Sequence, residues 1–334
     1  MFLQKCCKNL EGFITVKRFW FYFYKRMSEA TEPFLKLAAI DIGSNAVRCQ
    51  ISNVFRFEDH TLFKRVEYIR YPMRLGEDVF ATGIISRPKA DKFIKLLHGL
   101  YLIMQVHEVD DFMACATSAM RSAENAPEII DEIYDKLGLQ IQVIDGTTEA
   151  DLINLVIRQQ LDNQNYLHID VGGGSTEFNI YVNRMKVASQ SFEQGSIRHM
   201  QGDESMDMWH TMQKWVTEKA RMHHVTSAIG TGGNINKIYE MAGKLGGKPI
   251  FRDQIEEIVQ QIASYSMEER VKVLLLNVDR ADVIVPAAEI YLSAMNWANV
   301  ESMLVPQVGL KDGMLQSLYE RHQGATQHHF KLDS

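Results

Sequence analysis

Four cysteines, Cys6, Cys7, Cys49 and Cys115, are all that the 334 residues contain, and no two form a CxxC pair. That scarcity excludes a disulfide-stapled secreted domain and a structural zinc site of the usual spacing, and makes a reducing cytoplasm the expected compartment. No apolar run approaches the roughly 20 residues of a membrane span, so no membrane association is expected. An excess of positive charge is also missing. Lys plus Arg is 36 against 42 for Asp plus Glu, a formal net charge of −6, which argues against a general nucleic-acid coat. No GxxxxGK[ST] run occurs, and Ile235 stands where a GxGxxG fingerprint after Gly230 would need glycine. What is present, 46% hydrophobic and 23% charged residues, is the composition of a globular protein, and the length predicts two domains.

The first thirty residues differ from the rest. They carry six Lys or Arg against two Glu and the run Phe19-Trp20-Phe21-Tyr22-Phe23-Tyr24 between two basic pairs. An interfacial anchor fits the aromatics and the bases. The simpler reading is that Met27 is the natural start, with residues 1–35 an extension without a fixed fold or a mis-assigned beginning. From residue 36 the pattern is orderly. It predicts a first domain over 36–155, a second over 156–325 and a tail over 326–334. Strands are expected at Leu37–Ile42, Val47–Val54, Thr61–Tyr71, Phe112–Ala116 and Gln140–Ile144. Helices are expected after Ser86, at Ala126–Leu137, and from a Thr147 or Thr148 cap to about Leu161. The second half repeats the theme, with strands at Tyr166–Val171, Phe178–Val182, Val187–Phe192 and Thr226–Ile229, then mostly helix with one strand near 302–305.

An internal echo points to function. Ile40-Asp41-Ile42-Gly43-Ser44-Asn45 and Ile169-Asp170-Val171-Gly172-Gly173-Gly174-Ser175 share one plan: apolar strand, Asp, Gly-rich turn, hydroxyl. Two related domains facing each other across a cleft follow from it. Tight glycine turns expose backbone N–H groups that cradle phosphate oxygens. Asp41 and Asp170 would repel such a ligand unless a cation lay between, and Mg²⁺ bridging carboxylates to phosphates supplies one, with Mn²⁺ as a substitute. Gly232 and Gly233, between a strand and a helix, make a further anion candidate.

These segments, with Ala116-Thr117-Ser118-Ala119-Met120-Arg121, Ile144-Asp145-Gly146-Thr147-Thr148-Glu149-Ala150, Gly230-Thr231-Gly232-Gly233, Arg280-Ala281-Asp282-Val283-Ile284 and Gly309-Leu310-Lys311-Asp312-Gly313, resemble the exopolyphosphatase/guanosine pentaphosphate phosphohydrolase family. The resemblance spans Leu37 to Tyr319. It implies an α/β fold of two ribonuclease-H-like domains, as in the actin, sugar-kinase and heat-shock ATPase superfamily, with an interdomain cleft. It also implies a cytoplasmic hydrolase releasing orthophosphate from inorganic polyphosphate, or the 5′ γ-phosphate from guanosine pentaphosphate. By the same likeness Glu149 is the catalytic base. Asp170 and Glu177, with Asp41, are the metal-site carboxylates. Phosphate contacts fall on Ser44, Asn45, Arg121, Gly172, Gly173, Gly174, Ser175 and Thr176. Thr148 stands where the family usually has Glu and Asp151 where it usually has Arg, which puts rate and substrate preference in question. The chain looks like the short, two-domain form, and pairing into a homodimer is left open. A phosphate-ligand or alarmone sensor without turnover, and an ATP-dependent kinase of the superfamily, are the competing expectations.

Overall fold

A computed structural model describes residues 34–202, 206–244 and 246–330. All but the last two residues of the proposed 1–35 extension lie outside the described residues, as do residues 331–334 of the proposed tail.

The first sheet is built around β1 (Leu35–Ile42), whose unbroken apolar run reflects neighbours on both sides. β2 (Val47–Arg56) pairs with it antiparallel and β4 (Asp111–Ala116) parallel, with β3 (Thr61–Tyr71) and β5 (Gln142–Val143) outermost. The order is β3-β2-β1-β4-β5. In the second sheet β6 (Tyr166–Val171) takes the place of β1. β7 (Thr176–Val182) and β8 (Met185–Phe192) lie antiparallel on one side, and β9 (Ser227–Thr231) and β11 (Ser302–Leu304) parallel on the other. β10 (Ile250–Phe251) adds an edge, giving β10-β11-β9-β6-β7-β8. The sequence echo is therefore a duplication of topology, and the expected α/β class holds.

Helices cover the sheets. α1 (Leu75–Thr82), α2 (Arg87–Val106), α3 (Ser118–Ser122) and α4 (Ala126–Leu137) belong to the first half. Phe93, Leu97, Leu100 and Met104 of α2 are buried in its core at helical spacing. α5 (Gly146–Ile157) departs from expectation at both ends. Its cap is Asp145, in extended conformation, whose carboxylate accepts the Thr148 N–H at 2.7 Å; Thr147 and Thr148 are already helical. It stops at Ile157, where a 3₁₀ turn over 158–160 follows. β5 is also shorter than the expected 140–144, because this edge strand pairs with β4 through two residues before the chain turns into α5.

The second half adds α6 (Ser196–Met200), α7 (Met206–Met222), α8 (Gly233–Met241), α9 (Arg252–Ser264), α10 (Met267–Lys272), α11 (Val278–Ala281) and α12 (Ile284–Ala298). The last helix, α13 (Leu310–Phe330), continues into the expected tail. It returns to the first sheet. Leu310, Met314, Leu315 and Leu318 pack with Leu37, Ala39 and Met113, together with Tyr166 and Tyr181 of the second sheet. A Cβ at Gly313 would lie 2.1 Å from the Leu152 carbonyl oxygen, so this glycine lets α13 press onto α5. A division at 155/156 assigns this helix to the half it does not pack with most. Among the described residues no helix is long and apolar enough to cross a membrane.

Candidate active site

The turns after β1 and β6 meet. A Cβ at Gly173 would lie 2.9 Å from Ser44 Cβ and 3.4 Å from the Asn45 amide nitrogen. Ser44 is buried, its hydroxyl accepting the Ala119 N–H at 3.1 Å and hydrogen-bonding Ser118 Oγ at 2.7 Å. Asn45 Nδ2 donates to the Asp279 carbonyl at 2.9 Å, tying this turn to α11 of the second half.

Between the turns lies a cavity of about 280 Å³. It brings together Asp41, Ser44, Asn45, Glu149, Asp170, Gly172, Gly173, Ser175, Gly232 and Gly233. Four expected site residues lie outside its wall. Gly174 faces Phe80, whose Cζ would be 2.2 Å from an added Cβ. Thr176 is fully buried and donates its hydroxyl to the Gln194 carbonyl, so it braces the turn and is not placed to contact phosphate. Arg121 donates to the Ile144 carbonyl at 2.6 Å and steadies the approach to α5. Glu177 is buried one strand behind Asp170, where Ser191 Oγ donates to its Oε1 at 2.9 Å.

The carboxylates are crowded and mostly uncompensated. Burial raises Glu149 well above the ordinary carboxylate range, and Glu177, Asp170 and Asp41 push the same way against the opposing charge of Arg121. Its Oε2 is buried with no hydrogen-bond partner. Burial also lifts Glu177 to about 7, reinforced by Asp170 and opposed by Ser175, Ser191 and Arg121. Asp170 is raised to about 6, again chiefly by burial. Asp41 alone has a close cation, Arg48 Nη1, at 2.9 Å. Among the described residues, no group of three or more His, Cys, Asp or Glu side chains is arranged to chelate a metal ion directly.

Sequence reasoning missed the cationic wall. Arg48 and Arg70 line the cavity with Arg280, Lys237 and Lys311, beside the exposed ring of Tyr68. The available signal was register: Asp41 pairs with Arg48, and Arg48 with Arg70, in one row across the first sheet. The matching row of the second sheet is Asp170, Glu177, Ser191. Arg280 sits close enough to Arg70 and Arg48 that its own pKa falls, through burial first and their charge second. Arg70 pairs with Asp279, and Arg74 with Asp282 at 2.7 Å, so ion pairs join the two halves beside this wall.

The Ppx/GppA phosphatase family matches residues 53–322. The chain belongs to that family. It is 22% identical over 306 residues to exopolyphosphatase 1 of Mycobacterium tuberculosis, covering 84% of this chain and 87% of the relative. The fold is similar to that of an exopolyphosphatase from Cytophaga hutchinsonii, with a TM-score of 0.75 at 23% identity over 85% of this chain and 98% of the other. The Aquifex aeolicus member of the Ppx/GppA family gives a TM-score of 0.70 at 22% identity, over 87% and 99%.

The two departures from the Ppx/GppA pattern fall away from the cavity. Thr148 is exposed, with its N–H held by the Asp145 cap. Asp151 is 63% exposed and pairs with Lys186 of β8, which neutralises its charge locally.

Proposed function

We propose that the cleft hydrolyses the terminal phosphoanhydride bond of inorganic polyphosphate and releases orthophosphate. The observation carrying this reading is the Glu149 carboxylate, with a raised pKa and an unpartnered Oε2, on a cavity that has glycine turns on one side and a cationic wall on the other. A general base works best when its pKa lies near the operating pH, and burial among carboxylates moves Glu149 in that direction. Phosphoryl transfer asks the protein mainly for positioning and charge stabilisation.

Glu149 Oε2 accepts a proton from the attacking water. Backbone N–H groups of Ser44, Asn45, Gly173 and Ser175 hold the terminal phosphate oxygens, while those of Gly43 and Gly172 close the turns onto the Ala46 and Ser175 carbonyls. Arg48, Arg280, Lys237 and Lys311 hold the anionic chain behind it, the arginines through their planar forks. The donor set suits Mg²⁺ or Mn²⁺: Asp170 and Asp41, with Glu177 behind them, are the carboxylates that would hold it, and water would fill its remaining positions. Such an ion usually keeps several waters and takes one or two carboxylates plus substrate phosphates. When bound, it neutralises charge on the phosphate oxygens.

Tyr68 favours a second substrate at the same site. Its exposed ring on the cavity wall, with the Lys311 ammonium 5.9 Å from its centroid, offers a stacking face for a guanine base. Guanosine pentaphosphate, losing its 5′ γ-phosphate, is that substrate. The test offers both compounds to the purified protein, with Mg²⁺ and with excess chelator, and measures orthophosphate. Release from polyphosphate that stops on chelation is expected. Binding of either ligand without any release would replace the hydrolase by a phosphate-ligand sensor.

A further inference from the structure

A glycine turn that offers amides to a phosphate has no side chains to fix its peptide planes, and glycine accepts either orientation of each plane. Flipping one plane would replace a donating N–H by a carbonyl oxygen facing the anion. Here one short segment, 195–198, holds all three glycine carbonyls. Gly172 accepts from the Ser196 N–H at 3.0 Å and from the Ser196 hydroxyl at 3.2 Å. Gly173 accepts from the Ile197 N–H at 2.7 Å and the Arg198 N–H at 3.4 Å. Gly174 accepts from Arg198 Nε at 3.1 Å. The same segment presses on the turn at Gly195, where a Cβ would lie 2.6 Å from the Gly173 carbonyl carbon and from the Gly174 and Ser175 nitrogens. The backbone of Gly195 is extended, with φ −140° and ψ 175°, a conformation open to any residue. The close approach, and not the torsion, requires glycine there.

We propose that Gly195 and Arg198 are positioning residues that set the direction of the phosphate-binding amides. Across a planar trans peptide, the carbonyl of one residue and the N–H of the next point in opposite directions. Ser196, by holding the Gly172 carbonyl, turns the Gly173 N–H away from α6. Arg198, by holding the Gly174 carbonyl, turns the Ser175 N–H away from its own guanidinium. Gly173 and Ser175 line the cavity, whereas Gly195 and Arg198 stand behind its wall. The Arg198 side chain is itself held from the first half. Its guanidinium lies over the Phe80 ring of α1, 4.1 Å from the centroid, and Nη2 reaches Ser122 Oγ of α3 at 3.5 Å. The last peptide plane of the turn is therefore set by a cation seated between the halves. This role rests on the reading of the turn as the holder of the terminal phosphate.

Chemical rescue tests it. Arg198→Ala opens a space for a guanidinium ion between the Gly174 carbonyl and Phe80. The kcat/KM for phosphate release from polyphosphate should fall about 10–100-fold, the scale of a small misplacement in a reacting geometry. Added guanidinium should restore most of that loss, while tetramethylammonium, of equal charge but without N–H donors, should not. Arg198→Met keeps a stem against Phe80 and lacks the donors, so the same loss is expected there if the alanine variant does not fold. Gly195→Ala retains Arg198 but displaces the turn, and its loss should not respond to guanidinium. Wild-type kcat/KM in any of these variants, or equal recovery with both cations, overturns the proposal. If the wild type releases no phosphate, the phosphohydrolase reading fails. Tripolyphosphate binding in excess chelator, compared across the same variants and cations, then decides the positioning role: weaker binding restored by guanidinium alone supports it, and unchanged binding overturns it.

Discussion

Arg48 and Glu177 occupy equivalent positions in the two halves of the molecule: each is the register partner, on the second strand of its sheet, of the aspartate that precedes the turn. The duplicated topology thus sets two matching rows beside one cleft, and two differences, Arg48 against Glu177 and Arg70 against Ser191, set their signs. The first row carries Asp41, Arg48 and Arg70. The second carries Asp170, Glu177 and Ser191. The first half brings Asp41, Arg48, Arg70 and Glu149 to the cavity, and the second brings Asp170, Lys237, Arg280 and Lys311.

Glu149→Gln keeps the volume and the first turn of α5 but cannot accept a proton at neutral pH. We expect phosphate release to fall about 10²–10⁴-fold, with polyphosphate still bound. Turnover at the wild-type rate would place the base elsewhere.

The Asp41–Arg48 pair should be visible in stability. Arg48→Met leaves the buried Asp41 carboxylate without its cation, at a cost of about 3 kcal/mol in urea unfolding. Asp41→Asn combined with Arg48→Met should recover more than half of that loss. Additive losses in the double variant would show that the two residues do not act as a pair.

Stability should fall as pH rises from about 4.5 toward 7. Glu177 and Asp170 have raised pKa values in the folded state, at about 7 and about 6. Across this window the folded protein holds protons that the unfolded chain has released, so stability is greatest on the acid side and declines toward neutrality. Glu177→Gln should flatten that decline and stabilise the ligand-free protein at pH 8 by up to roughly 3 kcal/mol. Thermal unfolding across this range checks it; an unchanged slope would contradict burial of an uncompensated Glu177.

Gly174 and Phe80 test the seam between the halves. Gly174→Ala places a Cβ 2.2 Å from Phe80 Cζ, a clash that must move the ring or the turn. We expect reduced activity and a loss of about 1–3 kcal/mol, with Phe80→Ala restoring activity when the two are combined. No rescue would mean that the turn itself rejects the methyl group.

Asp151→Ala should change phosphate release less than about threefold and stability by under about 1 kcal/mol, as expected for a surface ion pair. A larger fall in activity would return this position to the catalytic environment.

Much of this protein was legible in its sequence because the informative signals are local. Alternation and apolar runs set β1 and β6, glycine marked the turns, and the repeated Asp-Gly plan declared the duplication. Glu149 was legible only through its family motif, since alone it reads as a carboxylate at a helix start. Tertiary structure decided the rest, for reasons of distance. Arg48, Arg70 and Arg280 are separated along the chain and form one wall only after strand register and domain closure bring their charges together. Thr176 shares the turn composition of its neighbours, and only the position of the Gln194 carbonyl turned its hydroxyl inward. Thr148 and Asp151 looked disruptive in sequence, but the Asp145 cap and Lys186 occupy them outside the cavity. Burial, which raises the pKa of Glu149, Asp170 and Glu177, is a property of the packed halves, because desolvation depends on what surrounds a carboxylate in space.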